Sequence, residues 1–392
     1  MITKLYNICN VLIKSKIIFK KPDYKDVLVL DSTSFDAIEN ILQSLDWNIF
    51  ETRNELINKI YITPGLIVKF FINLKKGLKI AYLVSLIDEI KPKAVLTFID
   101  NSFLFSDIAR NMSNKKIAFI AIQNASRIDI AEQDYFYKKG LLKNNYYKKI
   151  FLPHFFCLGE NDINKYKKYK IKVKKFYKLG SLRLYNYIRN INIKPKKKYD
   201  ICLISNSTWA RELTGSDISF EKSYAKLAHY IIKYVKEKKL KFVFCLKLPK
   251  SSRAIRDYEI SIFKKYLNKK DFNYLKKSRG KLLSYDLALS SEVVVGQTST
   301  ILGECLAYGK KVFVCNFSKL NYCDFPVKGI SFLKKANYQQ FKQRISKILN
   351  CSNKYYQNNL SKKKNYIVNY NSKIDPNLVV RNFISRVIEK NV

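Results

Sequence analysis

Short apolar runs recur along the whole chain, and longer segments with helical periodicity lie between them. This alternation indicates β-strands joined by α-helices and favours a parallel sheet. The runs interpreted as strands are 26–31, 94–100, 116–123 and 155–159 in the first half, and 200–206, 241–247, 292–296 and 311–315 in the second. Between them, residues 223–239 have apolar positions at helical spacing and a basic last turn. The sequence therefore predicts an α/β protein.

Two such α/β blocks follow one another along the 392 residues. That length suffices for about two to three domains, and a Pro-containing basic segment at 192–200 reads as a linker. We predict an N-terminal Rossmann-like domain over 1–180, a C-terminal Rossmann-like domain over 181–374, and a final helix in 375–392 that packs back toward the first domain. Such domains face a central cleft, outside the carboxyl ends of their strands.

The charge balance is strongly basic. Lys and Arg number 74 against 31 Asp and Glu, a formal net charge of +43. An excess of this size indicates an anionic partner, such as nucleic acid, anionic lipid or a phosphorylated substrate. A coding bias toward Lys, Asn, Ile and Tyr explains the same counts, because the lysines are spread along the chain. No nucleic-acid recognition motif occurs, so a nucleic-acid-binding protein is kept only as the alternative from another class.

No run of about 18 uninterrupted apolar residues is present, so no membrane span is expected. The N-terminal apolar runs are broken by Lys14, Lys16 and Lys20, which argues against a secretory signal. We expect a cytoplasmic protein, with peripheral attachment to the inner face of the membrane as an option. Residues 63–90 are apolar with interspersed lysines, and they fit either a core helix pair, which is favoured, or a segment on an anionic membrane surface.

A metal site is not expected. The eight cysteines form no Cys-x-x-Cys pair and the chain has only two histidines. No Asp-x-Asp pair stands where it would chelate a metal-bound diphosphate. Cys202, Cys245 and Cys315 lie inside apolar runs and read as buried thiols.

The stretch 293–315, VVVGQTSTILGECLAYGKKVFVC, carries the strongest candidate site. Gly296 ends a strand and permits close approach of a ligand. Thr298, Ser299 and Thr300 then stand at a helix N-terminus, where free N–H groups and the helix dipole favour an anion. The alternative is that one hydroxyl merely caps the helix, but this leaves two hydroxyls without a role.

Glu304 lies one turn into the same helix. It does not fit a capping box, because the matching hydroxyl position is occupied by Ile301. A carboxylate at this point can accept hydrogen bonds from the diol of a sugar. The segment is therefore interpreted as a nucleotide-binding element.

Polar residues also follow two strands of the first half. Asp100 and Asn101 end one strand, and Gln123, Asn124 and Arg127 end the next. Since the carboxyl ends of adjacent parallel strands meet at one edge of a sheet, these five side chains are expected to converge on the cleft.

The segment 296–314 resembles the nucleotide-binding segment of GT-B-type glycosyltransferases of bacterial surface carbohydrate synthesis, with CMP-Kdo-using transferases as the nearest kin. More distant similarity is to polysialyltransferases and CDP-glycerol glycerophosphotransferases. The resemblance spans roughly residues 90–350. It implies that Ser299 and Thr300 contact the donor phosphate and that Glu304 contacts the ribose.

A second piece, 98–127, resembles the DN…QNG-R arrangement of the same group, with Ala125 where Gly is commoner. In retaining Kdo transferases an aspartate after such a strand is thought to attack the anomeric carbon, and Asp100 is the matching position. Gln123 and Arg127 would then hold the sugar carboxylate or the acceptor. The alternative is that Asp100 caps the following helix.

Further positions follow from the same resemblance. Ser181 and Arg183 match the passage between the domains and would face the cleft. Ser205 and Asn206 follow the first strand of the second half and would contact a phosphate. Leu248-Pro249 stands where related sialyltransferases carry a His-Pro pair, and Lys247 or Lys250 would supply the positive charge instead. The complete predicted donor set is Ser205, Asn206, Lys247, Gln297, Thr298, Ser299, Thr300 and Glu304.

The resemblance implies transfer of Kdo or a related ulosonic acid from a CMP donor to a lipid-linked or oligosaccharide acceptor, at the anionic inner membrane surface. No cofactor or metal is expected, because a helix N-terminus and basic side chains suffice for one phosphate. Two related activities stay open: a CDP-glycerol or CDP-ribitol phosphotransferase, and a transferase that uses a UDP-sugar.

Overall fold

The computed structural model describes residues 2–127, 149–191, 196–205, 218–246, 253–280, 283–318 and 320–390. The strands are β1 Lys16–Ile18, β2 Val27–Leu30, β3 Trp47–Phe50, β4 Lys59–Tyr61, β5 Ala94–Thr97, β6 Ala118–Ile122, β7 Phe151–Cys157, β8 Lys172–Lys178, β9 Tyr199–Ile204, β10 Phe242–Cys245, β11 Ser291–Gly296, β12 Lys311–Asn316 and β13 Phe332–Lys334.

The α-helices are α1 Ile2–Lys14, α2 Glu39–Leu42, α3 Pro64–Asn73, α4 Leu78–Ile90, α5 Phe103–Asn111, α6 Glu160–Lys168, α7 Leu182–Asn190, α8 Ile218–Lys238, α9 Arg253–Tyr266, α10 Lys269–Lys277, α11 Ser284–Leu289, α12 Thr300–Tyr308, α13 Tyr338–Asn350, α14 Asn353–Asn358 and α15 Pro376–Lys390. Short 3-10 helices occupy Phe35–Ala37, Leu74–Lys76 and Asn321–Cys323.

Two parallel sheets organise the chain. The N-terminal half forms a six-stranded sheet in the order β3-β2-β5-β6-β7-β8, and the C-terminal half a five-stranded sheet in the order β10-β9-β11-β12-β13. All pairings in both sheets are parallel. Strands β2 and β5 are buried at every position, which accounts for their unbroken apolar runs. The two α/β halves therefore have the architecture that the sequence predicts.

All eight predicted strands are present, with ends that shift by a few residues. The predicted helix at 223–239 is α8, and 63–90 forms the helix pair α3 and α4. Strand β9 begins at Tyr199, so the end of the predicted linker is already sheet. Within the described residues, no helix combines the length and the hydropathy needed to cross a bilayer.

Local signals explain where the site helix begins and ends. Helix α12 begins after Ser299, whose backbone is extended, and stops at Gly309, which has φ of +104°. A left-handed residue at this point is the common way to end a helix, and glycine adopts it without strain. Helix α12 is thereby held directly after β11, with its first turn at the carboxyl edge of the sheet.

The C-terminal end of the chain returns to the first half. In α15, Val380 and Ile384 are buried in the same apolar cluster as Val29 of β2. The Arg381 Nε donates to the Ile41 carbonyl at 3.0 Å. Helix α15 therefore completes the core on one face of the N-terminal sheet.

A segment just before α15 joins the two halves by backbone hydrogen bonds. The Asn369 N–H donates to the Leu158 carbonyl at 2.7 Å, and the Asn161 N–H donates to the Tyr366 carbonyl at 3.0 Å. The chain thus crosses between the halves twice, once near residue 180 and once near residue 368. These crossings fix how the two sheet edges face one another.

Candidate functional site

The carboxyl ends of the two sheets meet at a small cavity of about 100 Å³. Ser126, Arg127 and Lys165 line it from the N-terminal half, and residues 297–300 line it from the C-terminal half. The Ser126 N–H donates to the Thr300 Oγ1 at 3.0 Å across the gap. The two segments that the sequence singled out, more than 170 residues apart, therefore face each other.

The first turn of α12 forms one wall of this cavity. Ser299 occupies the N-cap position, but its hydroxyl makes no capping hydrogen bond. The Ser299 hydroxyl therefore does not cap the helix. The Leu302 N–H already donates to the Ser299 carbonyl at 3.1 Å, so an anion at this end would be bound by the remaining N–H groups of the turn. Thr298, Ser299 and Thr300 all line the cavity, and their contact with a donor phosphate stays a prediction.

Gln297, in the cavity wall, has a buried side-chain amide that lacks hydrogen-bond partners in the part of the chain that the structure describes. Its side chain is only 1% exposed, and neither its amide oxygen nor its amide nitrogen has a hydrogen-bond partner among the described residues. Leaving a buried polar group unpaired costs about 1–3 kcal/mol. Gln297 is one of the residues that line the cavity, so a bound molecule with its own donor and acceptor groups that reached this amide would satisfy it.

Arg127 is the principal cation of the opposite wall. Its Nε donates to Asp100 at 2.9 Å, and its terminal nitrogen forms a second contact with the same carboxylate. The same nitrogen reaches the side-chain oxygens of Asn124 at 2.9 Å and Asn101 at 3.3 Å. Tyr166 also donates to Asp100, at 3.0 Å. Four of these five residues were expected at this edge, and the structure brings them together.

The arrangement corrects the role predicted for Asp100. The side chain is fully buried, does not line the cavity, and has both oxygens occupied by Arg127 and Tyr166. A carboxylate held in this way is not placed to attack an anomeric carbon. Asp100 instead positions Arg127, which is one of the residues that line the cavity.

The charges around Arg127 reinforce this pairing. Burial acts to lower the pKa of Arg127, but the charge and hydrogen bonds of Asp100 outweigh it, so the pKa lies above its usual value. Burial raises the pKa of Asp162. The Oδ1 atom of Asp162 accepts a hydrogen bond from the backbone N–H of Arg127 at 3.4 Å. The Lys165 ammonium donates to the Arg127 carbonyl at 2.5 Å and adds a second cation to the cavity wall.

Glu304 differs from its predicted role as a ribose ligand. It is 4% exposed and outside the cavity lining, and it accepts hydrogen bonds from the Ser181 hydroxyl at 2.5 Å and the Tyr285 hydroxyl at 2.8 Å. Burial raises its pKa, and these hydrogen bonds oppose that rise. In this structure Glu304 joins α12 to the start of α7. The predicted cleft residue Ser181 is therefore used in the same contact.

The side-chain amide of Gln123 makes hydrogen bonds to two backbone groups of the protein. Its amide oxygen accepts from the Leu158 N–H at 2.8 Å, and its amide nitrogen donates to the Ala125 carbonyl at 2.9 Å. The side chain is buried and does not line the cavity. Gln123 thus shapes the loop that carries Ser126 and Arg127, and its contact with a sugar stays a prediction.

Two further predicted residues also lie outside the cavity. Arg183 is exposed, donates to the Ser34 hydroxyl at 2.7 Å and lies 5.5 Å over the Phe98 ring. Ser205 is buried and donates to Glu259 at 2.5 Å. The predicted donor residues Asn206 and Lys247 fall outside the residues that the structure describes.

Sequence reasoning missed cavity residues that follow β7 and β12. Asn161 and Lys165 come from α6, which begins directly after Gly159 at the end of β7. The rule that sites follow parallel strands would have found them, but the lysine-dense composition of that segment concealed it. Asp324 also lines the cavity, and it is held by Asn316 at 2.7 Å.

No protein-family model and no curated protein matches this sequence. Solved structures do match along nearly all of it. A UDP-GlcNAc 2-epimerase from Methanocaldococcus jannaschii, in complex with UDP-GlcNAc and UDP, is 12% identical with a TM-score of 0.51, over 92% of this chain and 99% of the other. The enzyme of the same name from Neisseria meningitidis, bound to UDP-GlcNAc, is 13% identical with the same TM-score and coverage.

The sheets and the cleft define the class of this protein: two α/β halves of parallel sheet that meet at the carboxyl ends of their strands. The likeness to these solved structures extends over both halves. The chain has the GT-B fold, as the sequence predicts.

Proposed function

We propose that this protein is a glycosyltransferase that takes a nucleotide-linked sugar into the cleft between its halves. The carrying observation is Gln297, a buried amide without a partner among the described residues, in a cavity that also contains a helix N-terminus. Arg127 and Lys165 supply positive charge on the facing wall. An unpaired amide, the positive end of a helix dipole and cations together suit a base or sugar joined to a phosphate.

The finer proposal is a CMP-linked ulosonic acid, such as Kdo, as the donor. Such a donor has one phosphate, which the first turn of α12 can neutralise without a metal. Its sugar carboxylate suits the guanidinium of Arg127. The cavity of about 100 Å³ holds a phosphate-sized group, whereas pockets for larger ligands measure about 300–1,000 Å³. Donor binding is therefore expected to widen the cleft.

A place for the acceptor lies on the N-terminal side. Asn101, which contacts Arg127, also lines a second, open cavity of about 530 Å³ together with Arg53 and Lys79. Asp31 and Glu55 also line this cavity, so its mixed charges suit the hydroxyl groups of a lipid-linked or oligosaccharide acceptor. We place the reaction at the cytoplasmic face of an anionic membrane, where such acceptors are built.

A second candidate is a CDP-glycerol or CDP-ribitol phosphotransferase. The buried ion pair of Asp100 favours it, because transfer at phosphorus needs no carboxylate nucleophile. If the sugar is transferred instead, the acceptor hydroxyl would attack the anomeric carbon directly. A UDP-sugar donor is the third option, since UDP-GlcNAc is bound in both similar structures.

Thermal unfolding with CMP, CDP-glycerol, UMP and UDP separates these options. The CMP-sugar proposal expects CMP to raise the Tm, because a ligand that binds only the folded chain stabilises it. A phosphotransferase also releases CMP, so a larger shift with CDP-glycerol than with CMP would favour it, and stabilisation by UMP or UDP alone would replace the CMP donor. Thr300→Val, which removes a hydroxyl from the helix N-terminus, should reduce the shift. If none of the four nucleotides moves the Tm, the nucleotide site itself is wrong.

A further inference from the structure

Helix α3 turns its apolar side toward solvent. Ile67, Val68, Phe71 and Ile72 are 43%, 60%, 63% and 70% exposed, and their spacing places them on one face. We call these four residues the outer face of α3. A helix on a globular protein ordinarily shows the reverse, with its apolar stripe buried and its polar side in water.

The polar residues of α3 fix this orientation. The Lys69 ammonium contacts Glu89 at 2.5 Å and Asp88 at 3.3 Å, both on the adjoining segment of α4. The Asn73 amide donates to the Ser85 hydroxyl of α4 at 3.2 Å. These contacts anchor the polar side of α3 against the protein, so the helix cannot turn its apolar residues inward without breaking them.

The apolar surface continues beyond the helix. Leu74 and Leu78, directly after α3, are 38% and 56% exposed. Phe19 is 81% exposed and follows β1, whose Ile18 carbonyl accepts from the Ile62 N–H at 2.9 Å. Phe19 is thus beside the start of α3. A contiguous apolar surface of this kind marks a membrane or protein contact.

The charge of the surrounding chain selects between these partners. Neither residues 1–22 nor residues 62–87 contain an acidic side chain. Lys16, the first residue of β1, and Lys20, two residues after it, are exposed, as is Lys75 just after α3. Basic side chains around an apolar helix face attract anionic lipid. A second copy of this chain would bring like charges together in a symmetric contact, which is unfavourable.

We propose that the outer face of α3, with its neighbouring lysines, is the surface by which this protein docks on an anionic lipid bilayer. The apolar side chains enter the boundary between head groups and acyl chains, and the lysines lie among the anionic head groups. This inference does not depend on the identity of the nucleotide donor.

Vesicle flotation of the full chain tests the proposal. The wild-type protein should float with vesicles of mixed phosphatidylcholine and phosphatidylglycerol, and binding should weaken as salt screens the charges. It should bind vesicles of phosphatidylcholine alone much more weakly. The double variant Phe71→Asn, Ile72→Asn should reduce binding to the mixed vesicles about tenfold or more, because two large apolar side chains no longer leave water.

The matched control uses two exposed apolar residues of α15. Leu378 and Val379 are 46% and 40% exposed, and Leu378→Asn, Val379→Asn should float like the wild type. Both double variants should retain the Tm and any nucleotide-induced shift of the wild type, which separates docking from folding and from the donor site.

Two results would overturn the proposal. One is unchanged flotation of the Phe71→Asn, Ile72→Asn variant. The other is a wild-type dimer in sedimentation velocity that dissociates in this variant and does not bind mixed vesicles, which would assign the outer face of α3 to self-association. Equal binding to neutral and anionic vesicles would refute the role of the lysines.

Discussion

Among single residues, Arg127 decides the geometry of the N-terminal wall. Its guanidinium is held by Asp100 below and by two asparagine side chains beside it, so it presents a fixed cation to the cavity. A pre-oriented cation loses little conformational freedom when an anion binds. The residue expected to be the reactive group thus acts as the support for the binding group.

Asp100→Asn should therefore destabilise the fold. Removing one partner of a buried ion pair leaves the other charge uncompensated, at a cost of about 3–5 kcal/mol. Urea denaturation measures this directly. Tyr166→Phe is the matched control, since it removes only one hydrogen bond to the same carboxylate, worth about 1 kcal/mol. An Asp100→Asn variant as stable as the wild type would contradict the support role.

Glu304→Gln should show a stability difference that depends on pH. Burial raises the pKa of Glu304 above its ordinary value of 4.5, so the folded state binds this proton more tightly than the unfolded state does. As pH falls from 8 toward about 4.5, the wild type should gain stability relative to the variant. Urea denaturation at pH 8 and pH 5 measures the trend, with the exposed Glu55→Gln as control. A relative loss at pH 5 would refute it.

Among the elements, the passage from β8 to α7 depends on close backbone contact. Gly180 has φ of +102°, and a Cβ built there would lie 2.0 Å from the Asn369 carbonyl oxygen. Gly77 also has positive φ, at +92°, but a Cβ there meets no atom within 4 Å. Substitutions at the two glycines therefore distinguish two effects: backbone strain, which both positions have, and a steric clash between the halves, which only Gly180 has.

Gly180→Ala should accordingly cost more stability than Gly77→Ala. The second change carries only the strain of an alanine at φ of +92° and ψ of +145°, about 1–3 kcal/mol, whereas the first also forces apart the segment that joins the halves. Thermal unfolding compares the two. Equal losses in Tm would mean that the contact between Gly180 and Asn369 does not constrain the molecule.

The strands show what could be read from the sequence. Long buried strands such as β11 stand out as apolar runs, because both faces of a parallel sheet are covered. Strand β8 was missed, since four of its seven residues are Lys and it lies at the edge of the sheet. Lysines protect an exposed edge from pairing with other chains, and they also hide it from pattern reading.

The candidate site, like the strands, could be predicted from the sequence only in part. The two facing walls of the cavity could be predicted from the strand ends. In a parallel sheet, topology alone brings the carboxyl ends of the strands to one edge. The ion pair of Asp100 and the contact of Glu304 with Ser181 depend on how side chains pack between distant segments, and no local pattern encodes that. The resemblance therefore pointed to segments that do meet at the cavity, and the roles it implies for their residues stay predictions.

At the scale of the whole molecule, the two halves meet at a narrow cleft. A ligand bound there would change how far the cleft is open. The chain crosses twice between them, so a limited hinge motion fits this connectivity better than free separation. This arrangement also offers a functional explanation for the net charge of +43. This charge would draw anionic donors toward the cleft and the apolar face of α3 toward anionic lipid.

The central claim is that Gln297 and the first turn of α12 hold a nucleotide, and calorimetric titration of wild type against Gln297→Leu tests it most directly. The nucleotide with the largest thermal shift should bind the variant about tenfold or more weakly, because a buried hydrogen bond is lost. The unliganded variant should be at least as stable as the wild type, since it no longer buries an unpaired amide. Equal affinity in the two proteins would contradict the account.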